Sequence, residues 1–273
     1  MGDWYTKVKA EFILNFVEDN RWKYLVTGLG NTLKITLAAV LLGIVIGTLV
    51  AIVRSTWDQN AERMRPGAGK SLLHIGDIIC KIYLTVIRGT PMMVQSLIFY
   101  YAIFNLFKRT GMSVTEINRV WSLFISGLVT VSLNSTAYLA EVLRGGILAV
   151  DAGQMEAARS LGMTHWQAMR RVVFPQAIKN SLPAIGNEFI INIKDSSVLC
   201  VLGVSDLMFM TRSVAGIYYK GTECYLIAAT VYLFLTYLSS LLLKAITGRM
   251  TAPDNTKRRQ GNQTVDLGLP SSN

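Results

Sequence analysis

Long apolar segments separated by short polar ones dominate this chain. Residues 35–53 contain no charged side chain, and 19 such residues are enough for a helix to cross the hydrocarbon core of a membrane. Gly43 and Gly47 form a GxxxG step in this run, which predicts close packing against another helix. Comparable apolar runs follow. The pattern predicts an all-α integral membrane protein with five transmembrane helices, at about 35–53, 91–107, 120–140, 181–204 and 224–243.

The segment before the second predicted span is amphipathic. Its apolar residues recur every three or four positions, whereas His74, Asp77 and Lys81 occupy the other side of the helix. The apolar residues are Leu72, Ile75, Ile79, Ile82 and Val86. We expect a helix at the membrane surface that turns into the membrane at residues 89–91. Residues 205–223 are predicted to form an outer loop.

The distribution of basic residues predicts the orientation. With the N-terminus outside, the inner segments (54–88, 141–180 and 244–259) contain 16 Lys and Arg, and the outer segments (1–25, 108–119 and 205–223) contain nine. Because cytoplasmic loops are enriched in Lys and Arg, the C-terminus is expected in the cytoplasm. The predicted organisation is an interfacial extracytoplasmic N-terminus (1–25), a membrane domain (26–249) and a disordered cytoplasmic tail (250–273).

Composition supports a membrane protein and argues against two other classes. Hydrophobic residues make up 51% of the chain, and its mean hydropathy is +0.38. The net charge of +10 could suit a nucleic-acid-binding protein, but the basic residues are scattered between apolar segments. Three cysteines and two histidines show no metal-ligand spacing. We therefore expect neither a nucleic-acid partner nor a metal site.

A polar segment at residues 156–175, here called the hinge element, interrupts the apolar pattern. Gly162 is suited to end a first short helix, because glycine adopts positive φ without steric strain. Thr164 and Gln167 have the spacing of a capping box at the start of a second helix. That second helix, over 166–174, is predicted to stop near Pro175. Small side chains on the first arm would let another protein approach closely, although the spacing alone also suits an ordinary loop.

The hinge element also resembles the EAA loop of ATP-binding-cassette (ABC) importer permeases. The matching residues are Glu156, Ala157, Ala158, Gly162 and Pro175, whereas Val172 and Phe174 stand where the family usually has Ile and Leu. Further matches follow in order along the chain: 88–91 (RGTP), Val94-Gln95, Ala140-Glu141, 144–146 (RGG), Gly153-Gln154, 175–177 (PQA) and 194–197 (KDSS). Over about residues 27–243 the chain is similar to permeases of the polar amino-acid uptake subfamily, whose substrates include histidine, glutamine, arginine and cystine.

The resemblance implies a type I ABC-importer permease fold and a set of partners. These are a cytoplasmic ABC ATPase dimer, a second permease subunit (identical or paired), an extracytoplasmic amino-acid-binding protein and membrane lipid. The residues implied to couple the chain to the ATPase are Glu156, Ala157, Ala158, Gly162 and Pro175. The implied location is the cytoplasmic membrane of a prokaryote, with several membrane crossings.

The chain is not expected to bind ATP or any other cofactor itself. Gly69-Lys70-Ser71 approaches a phosphate-binding loop, but Met64 stands where its first glycine belongs, and no strand precedes it. ATP would therefore be hydrolysed by the partner subunit, and the chain is expected to be a transport subunit rather than an enzyme.

Charged residues in the fourth predicted span are candidates for a substrate pathway. Glu188, Asn192 and Asp195 lie at i, i+4 and i+7, along one face of a helix, and Lys194 could neutralise a carboxylate. Charges at this depth usually mark function, although a cluster that only fastens helices together is the alternative. The expected pathway residues are Glu188, Asn192, Lys194, Asp195, Ser196 and Asn134, and the resemblance places part of the pathway in this stretch.

Three other functions remain open on the residues alone. A permease of this type could carry an opine or another small solute, because the binding protein would set most of the selectivity. A secondary transporter would be expected to show inverted repeats with broken helices, and none is evident. An intramembrane enzyme would need a catalytic grouping, and neither HExxH nor a Ser/His/Asp set stands out.

Overall fold

The computed structural model describes residues 17–62, 64–218 and 221–250, together with residues 6, 9, 10, 12 and 13. Most of the predicted N-terminal segment lies outside the described residues. So does the predicted disordered tail beyond residue 250.

Regular structure in the described residues is entirely helical, which confirms the all-α class. The α-helices are α1 (Trp22–Asn60), α2 (Ala68–Gly89), α3 (Met92–Arg109), α4 (Val114–Val120), α5 (Leu123–Leu148), α6 (Ala152–Ser160), α7 (His165–Ala168), α8 (Phe174–Asp195), α9 (Leu207–Tyr218) and α10 (Gly221–Met250). Short 3₁₀ segments occur at Glu18–Asn20 and Ser196–Val201, and a π segment occurs at Met169–Val173.

Among the described residues, α1, α5 and α10 are long and apolar enough to cross a membrane. They correspond to the predicted spans at 35–53, 120–140 and 224–243, although α5 begins at Leu123 rather than at residue 120. The predicted span at 91–107 falls on α3. The one at 181–204 falls on α8 and the 3₁₀ segment after it, so its α-helix ends at Asp195 rather than continuing to 204.

Helix α5 is at the centre of the packing. It contacts α1, α2, α3 and α8, and it contributes Leu139, Leu143 and Ile147 to the largest buried apolar cluster. The glycine step of α1 lies against it. A methyl group added at Gly43 would be 2.8 Å from Cδ1 of Leu139, and one at Gly47 would be 3.0 Å from the backbone nitrogen of Ala140. Both glycines therefore permit the close approach of α1 and α5 that the sequence predicted.

Helix α2 is amphipathic as predicted, with its polar side turned inward. Asp77 is completely buried, while Leu72, Ile79 and Ile82 are 73%, 61% and 59% exposed. A soluble protein would bury the apolar side of such a helix instead. The reversed arrangement is what a lipid environment favours, since exposed apolar side chains are compatible with acyl chains.

The predicted outer loop at 205–223 is wrong over most of its length. Residues Leu207–Tyr218 form helix α9, which packs against α1. The Asp206 carboxylate accepts a hydrogen bond from the backbone N–H of Phe209 at 2.8 Å, as a helix N-cap does. The hydroxyl oxygen of Thr32 accepts another from the N–H of Leu207 at 3.1 Å. With only 12 residues, α9 is too short to cross the hydrocarbon core as a straight helix.

Candidate functional site

The first arm of the hinge element ends in a Schellman motif. Gly162 has φ of +84°, the left-handed conformation that favours glycine. Its N–H donates to the carbonyl of Arg159 at 3.0 Å, and the N–H of Met163 donates to the carbonyl of Ala158 at 3.2 Å. These bonds end α6 at the bend. The prediction that Gly162 ends the first helix is confirmed.

The second arm begins with the predicted capping box. The Thr164 hydroxyl accepts a hydrogen bond from the N–H of Gln167 at 3.2 Å, and the Gln167 amide oxygen accepts one from the N–H of Thr164 at 2.9 Å. Both bonds satisfy backbone donors that a helix start would otherwise leave unpaired. Helix α7 therefore starts at His165, immediately after the bend.

The second arm does not stop near Pro175, so that prediction is wrong. The helical path continues from α7 through the π segment at Met169–Val173 into α8. The N–H of Phe174 donates to the carbonyl of Met169, five residues earlier, which gives a wider turn just before the proline. The side-chain amide of Gln176 also donates to the carbonyl of Val172 at 3.0 Å. The widened turn and this amide accommodate a residue that lacks an N–H donor and crowds the preceding turn.

The exposed surface of the hinge element contains most of the predicted coupling residues. Glu156, Ala157, Gly162 and Pro175 are exposed, whereas Ala158 is 4% exposed and packs inward. Glu156 also lines a cavity of about 570 Å³ between α6 and the end of α1.

Two large apolar side chains flank the bend on the outside. Leu161 is 81% exposed and Trp166 is 60% exposed. Neither was predicted as a site residue, although a leucine and a tryptophan flanking a predicted glycine bend are an available signal. Exposed aromatic side chains such as that of Trp166 are typical anchors of protein interfaces.

Two of the predicted pathway residues meet in the interior. The Asn192 side-chain amide lies 3.0 Å from the Ser135 hydroxyl oxygen and 3.4 Å from Oε1 of Glu188, and it donates to both. Glu188 is 7% exposed, Asn192 is 1% exposed and Ser135 is fully buried. The contact joins α8 to α5. Ser135 belongs to the polar group on α5, but its pairing with Asn192 could not be read from the sequence.

The remaining pathway residues lie elsewhere. Asn134 faces α3, where its amide lies 3.5 Å from Oε1 of Gln95. Ser196 is buried and donates to the carbonyl of Ile193 in the last turn of α8. Lys194 and Asp195 are exposed at the end of α8. Among the ion pairs of the described residues, none joins Lys194 to Glu188 or Asp195, although the charge of Lys194 acts electrostatically on Asp195.

A second polar cluster lies where α1, α2 and α5 meet, and it was not predicted. The Asp77 carboxylate accepts from Arg54 at 2.6 Å and lies 2.7 Å from Nζ of Lys81. Burial opposes ionisation of Asp77, but the hydrogen bonds from Lys81 and Arg54 outweigh it and hold the pKa below its ordinary value. The Arg54–Asp77 pair joins α1 to α2. Whether these two side chains meet depends on how each helix is rotated about its axis, which the spacing of residues in the sequence does not reveal.

A chain of ion pairs continues from this cluster along α5. Glu141 pairs with Arg144 at 3.0 Å and more loosely with Arg88 at 3.9 Å. Arg144 also reaches Asp58 at 3.3 Å, which connects α5 to the end of α1. The ion pairs therefore hold three helices together next to the hinge element.

Comparison with known proteins gives a consistent result. Residues 68–252 match the family described as binding-protein-dependent transport system inner membrane component. The glutamine transport system permease protein GlnP of Escherichia coli is 30% identical over 83% of this chain and 92% of its own length. The arginine transport system permease protein ArtQ of Bacillus subtilis is 31% identical over 85% of this chain and 94% of its own.

Solved structures agree with these matches. A crystal structure of an amino acid ABC transporter with histidines has a chain that is 38% identical, with a TM-score of 0.68, covering 83% of this chain and 94% of that one. An inward-facing structure of the methionine ABC transporter MetNI has a chain with a TM-score of 0.66 at 21% identity, covering 86% of this chain and 99% of that one. The second likeness concerns the fold alone.

Proposed function

Because the chain belongs to the family of inner membrane components of binding-protein-dependent transport systems, we propose that it is the permease subunit of an ABC importer for polar amino acids. The observation that carries this proposal is the family match over residues 68–252, together with relatives named for glutamine and arginine transport. The hinge element adds support, since it offers an exposed surface of the kind that a soluble partner could engage.

Coupling to the ATPase takes place through the hinge element. Glu156, Ala157 and Gly162 form its exposed outer surface, and Pro175 lies where the second arm continues into α8. The continuous path through the π segment makes the second arm an extension of α8, so a push on α7 moves α8 without a flexible joint. Closure of two partner ATPases on ATP would thereby move the helices between outward- and inward-facing states.

The substrate pathway lies beside Glu188 and Asn192. A buried carboxylate in a membrane protein is costly unless it serves a ligand or a partner, and its charge suits the ammonium group of an amino acid. Lys194 and Asp195, exposed at the end of α8, would meet the substrate at a different depth from Glu188. Ser196 and Asn134 position the surrounding helices, with Asn134 acting through Gln95 of α3.

The chain lies in the cytoplasmic membrane of a prokaryote with the N-terminus outside, and a second permease subunit completes the pathway. The asymmetry of basic residues supports this orientation and puts the hinge element on the side where ATP is available. An extracytoplasmic binding protein would deliver the amino acid. The apolar surface of α10, which is mostly exposed in this chain, is available to lipid or to the second subunit.

ATP is bound and hydrolysed by the partner and not by this chain. Gly69-Lys70-Ser71 lies in the first turn of α2, and its backbone is therefore part of the helix. A phosphate-binding loop instead wraps its backbone N–H groups around the phosphates between a strand and a helix.

Reconstitution of the full complex in vesicles tests the proposal. The permease, its ATPase and the binding protein are incorporated, and uptake of labelled glutamine, arginine and histidine is measured with and without internal ATP. We expect uptake of at least one of them that requires both ATP and the binding protein. Uptake that persists without ATP, or that follows an ion gradient, would instead establish a secondary transporter.

A further inference from the structure

A small crevice between α1, α2 and α5 is lined by more cations than anions. Its volume is about 320 Å³. The lining includes Arg54, Lys81 and Arg88 against a single carboxylate, Glu141. Asp77, buried beneath Arg54 and Lys81, reduces the excess but leaves one net positive charge. The crevice therefore suits an anion.

The cations keep hydrogen-bond donors that the described residues do not use. Nε of Arg54 is buried and has no hydrogen-bond partner among the described residues. Arg88 is only loosely paired with Glu141, at 3.9 Å, because Arg144 already binds that carboxylate at 3.0 Å. The side chains of Lys81 and Arg88 remain 50% and 43% exposed. A phosphate group, which only accepts hydrogen bonds when ionised, would satisfy such an excess of donors.

The position of the crevice fits the phosphate layer of a membrane. Arg54 directly follows the uncharged run at residues 35–53, so it lies where the hydrocarbon core ends. Along α2, the exposed side chains of Ile79, Ile82 and Val86 form an apolar strip next to Lys81. The cationic crevice and this strip together match the two parts of a phospholipid, an anionic head and an acyl chain.

We propose that this crevice binds the phosphate headgroup of an anionic phospholipid, with an acyl chain lying along the exposed apolar face of α2. The lipid occupies a defined site rather than a diffuse layer, because its phosphate contacts Arg54, Lys81 and Arg88 together. Since these side chains also hold α1 and α5 through Asp77 and Glu141, bound lipid stabilises the packing of α2 against both.

Native mass spectrometry of the permease–ATPase complex tests the proposal. The complex is delipidated, incubated with phosphatidylglycerol or phosphatidylcholine, and then measured for the lipid that it retains. The wild type is expected to retain phosphatidylglycerol in preference to phosphatidylcholine. The double variant Lys81→Gln with Arg88→Gln should retain about tenfold less phosphatidylglycerol. A matched control removes two charges outside the crevice, Arg65→Gln with Lys70→Gln, and should retain the lipid within about twofold of the wild type.

Removal of Lys81 also removes a partner of Asp77 and could impair folding. Two further variants test the lipid site independently of that effect. Arg88→Gln alone, whose pairing is loose, should lower retention by about threefold. The charge-conserving variant Lys81→Arg with Arg88→Lys should retain lipid as the wild type does. Equal retention in Arg88→Gln and the wild type, or equal losses in Arg88→Gln and the control, would overturn the site. Complete displacement of phosphatidylglycerol by inorganic phosphate would show that the crevice takes a free anion and would overturn the lipid assignment.

Discussion

The side-chain amide of Asn192 donates a hydrogen bond of 3.0 Å to the hydroxyl oxygen of Ser135. The same amide lies 3.4 Å from the carboxylate of Glu188, so one polar group connects α8 to α5 and to the neighbouring acid. A carboxylate has about four acceptor positions, and this amide fills one of them. The contact therefore serves helix packing while leaving Glu188 able to accept from a ligand.

Glu188→Gln separates those two roles. Glutamine keeps the shape and still accepts a hydrogen bond from Asn192, so a group that only fastens helices would tolerate it. If the carboxylate binds the substrate ammonium, substrate-stimulated ATPase activity of the reconstituted complex should fall by about tenfold, while complex assembly is unchanged. Glu62→Gln, the same change at an exposed position, is the control and should behave as the wild type. Unaltered stimulation in Glu188→Gln would favour the packing role.

Charge reversal at Asp195 examines the exposed end of α8. In the variant Asp195→Lys, a positive charge replaces a negative one beside Lys194, and repulsion should act on a cationic substrate more than on a neutral one. We expect arginine uptake to fall by about tenfold and glutamine uptake by less than about twofold. Glu62→Lys reverses an exposed charge elsewhere and should change neither. A parallel decrease for both substrates would count against direct contact between Asp195 and the substrate.

Gly162→Ala tests the bend of the hinge element. Because φ at this position is +84°, a Cβ atom introduces strain of about 1 kcal/mol, and relief of that strain would reorient α6 relative to α7. We expect ATP-dependent uptake to fall by about tenfold or more, while the basal hydrolysis of the ATPase persists. Gly69→Ala, in the first turns of α2 with open space around it, should leave uptake unchanged. Full uptake by Gly162→Ala would mean that the bend does not need the left-handed conformation.

Local features of the fold were predictable, whereas features set by long-range contacts were not. The positive φ of Gly162 and the capping box of Thr164 and Gln167 depend on a few adjacent residues, and both are found as predicted. The continuation of the helix past Pro175 depends on a π turn and on a side-chain donor from Gln176. A rule about proline alone could not anticipate it.

The candidate site shows the same division. Spacing placed Glu188 and Asn192 on one helix face, and they are in contact. Successive positions on α5 point about 100° apart, but spacing could not reveal that Asn134 faces α3 and Ser135 faces α8. The helix at Leu207–Tyr218 was missed because its apolar run is short and interrupted by Arg212, whereas the prediction relied on uncharged runs long enough to cross a membrane.

Trp166→Ala tests whether the exposed side chain beside the bend anchors the ATPase. Burial of a tryptophan at the centre of an interface contributes about 2 kcal/mol or more, so the dissociation constant of the permease–ATPase complex should rise by about 30-fold. The measurement is binding of purified ATPase to the permease in detergent. Leu72→Ala, which truncates another exposed apolar side chain on α2, should leave the constant unchanged. Equal binding by Trp166→Ala and the wild type would remove Trp166 from the docking surface.

Asp77 and Asp58 offer a matched pair for testing the ionic cluster. Asp77→Asn removes the buried carboxylate that Arg54 and Lys81 share and leaves the mostly buried Arg54 without its counter-charge, and we expect a loss of about 3 kcal/mol. Asp58→Asn breaks a partly exposed pair with Arg144 and should cost about 1 kcal/mol or less. Thermal unfolding of the purified complex measures both.

Because the folded pKa of Asp77 lies below its ordinary value, the stabilisation that its ionised carboxylate contributes is fully present above the ordinary carboxyl range. That stabilisation is lost as the pH falls through the folded pKa. The difference in unfolding temperature between wild type and Asp77→Asn should therefore shrink on acidification. A difference that stays constant as the pH is lowered would contradict an ionised Asp77.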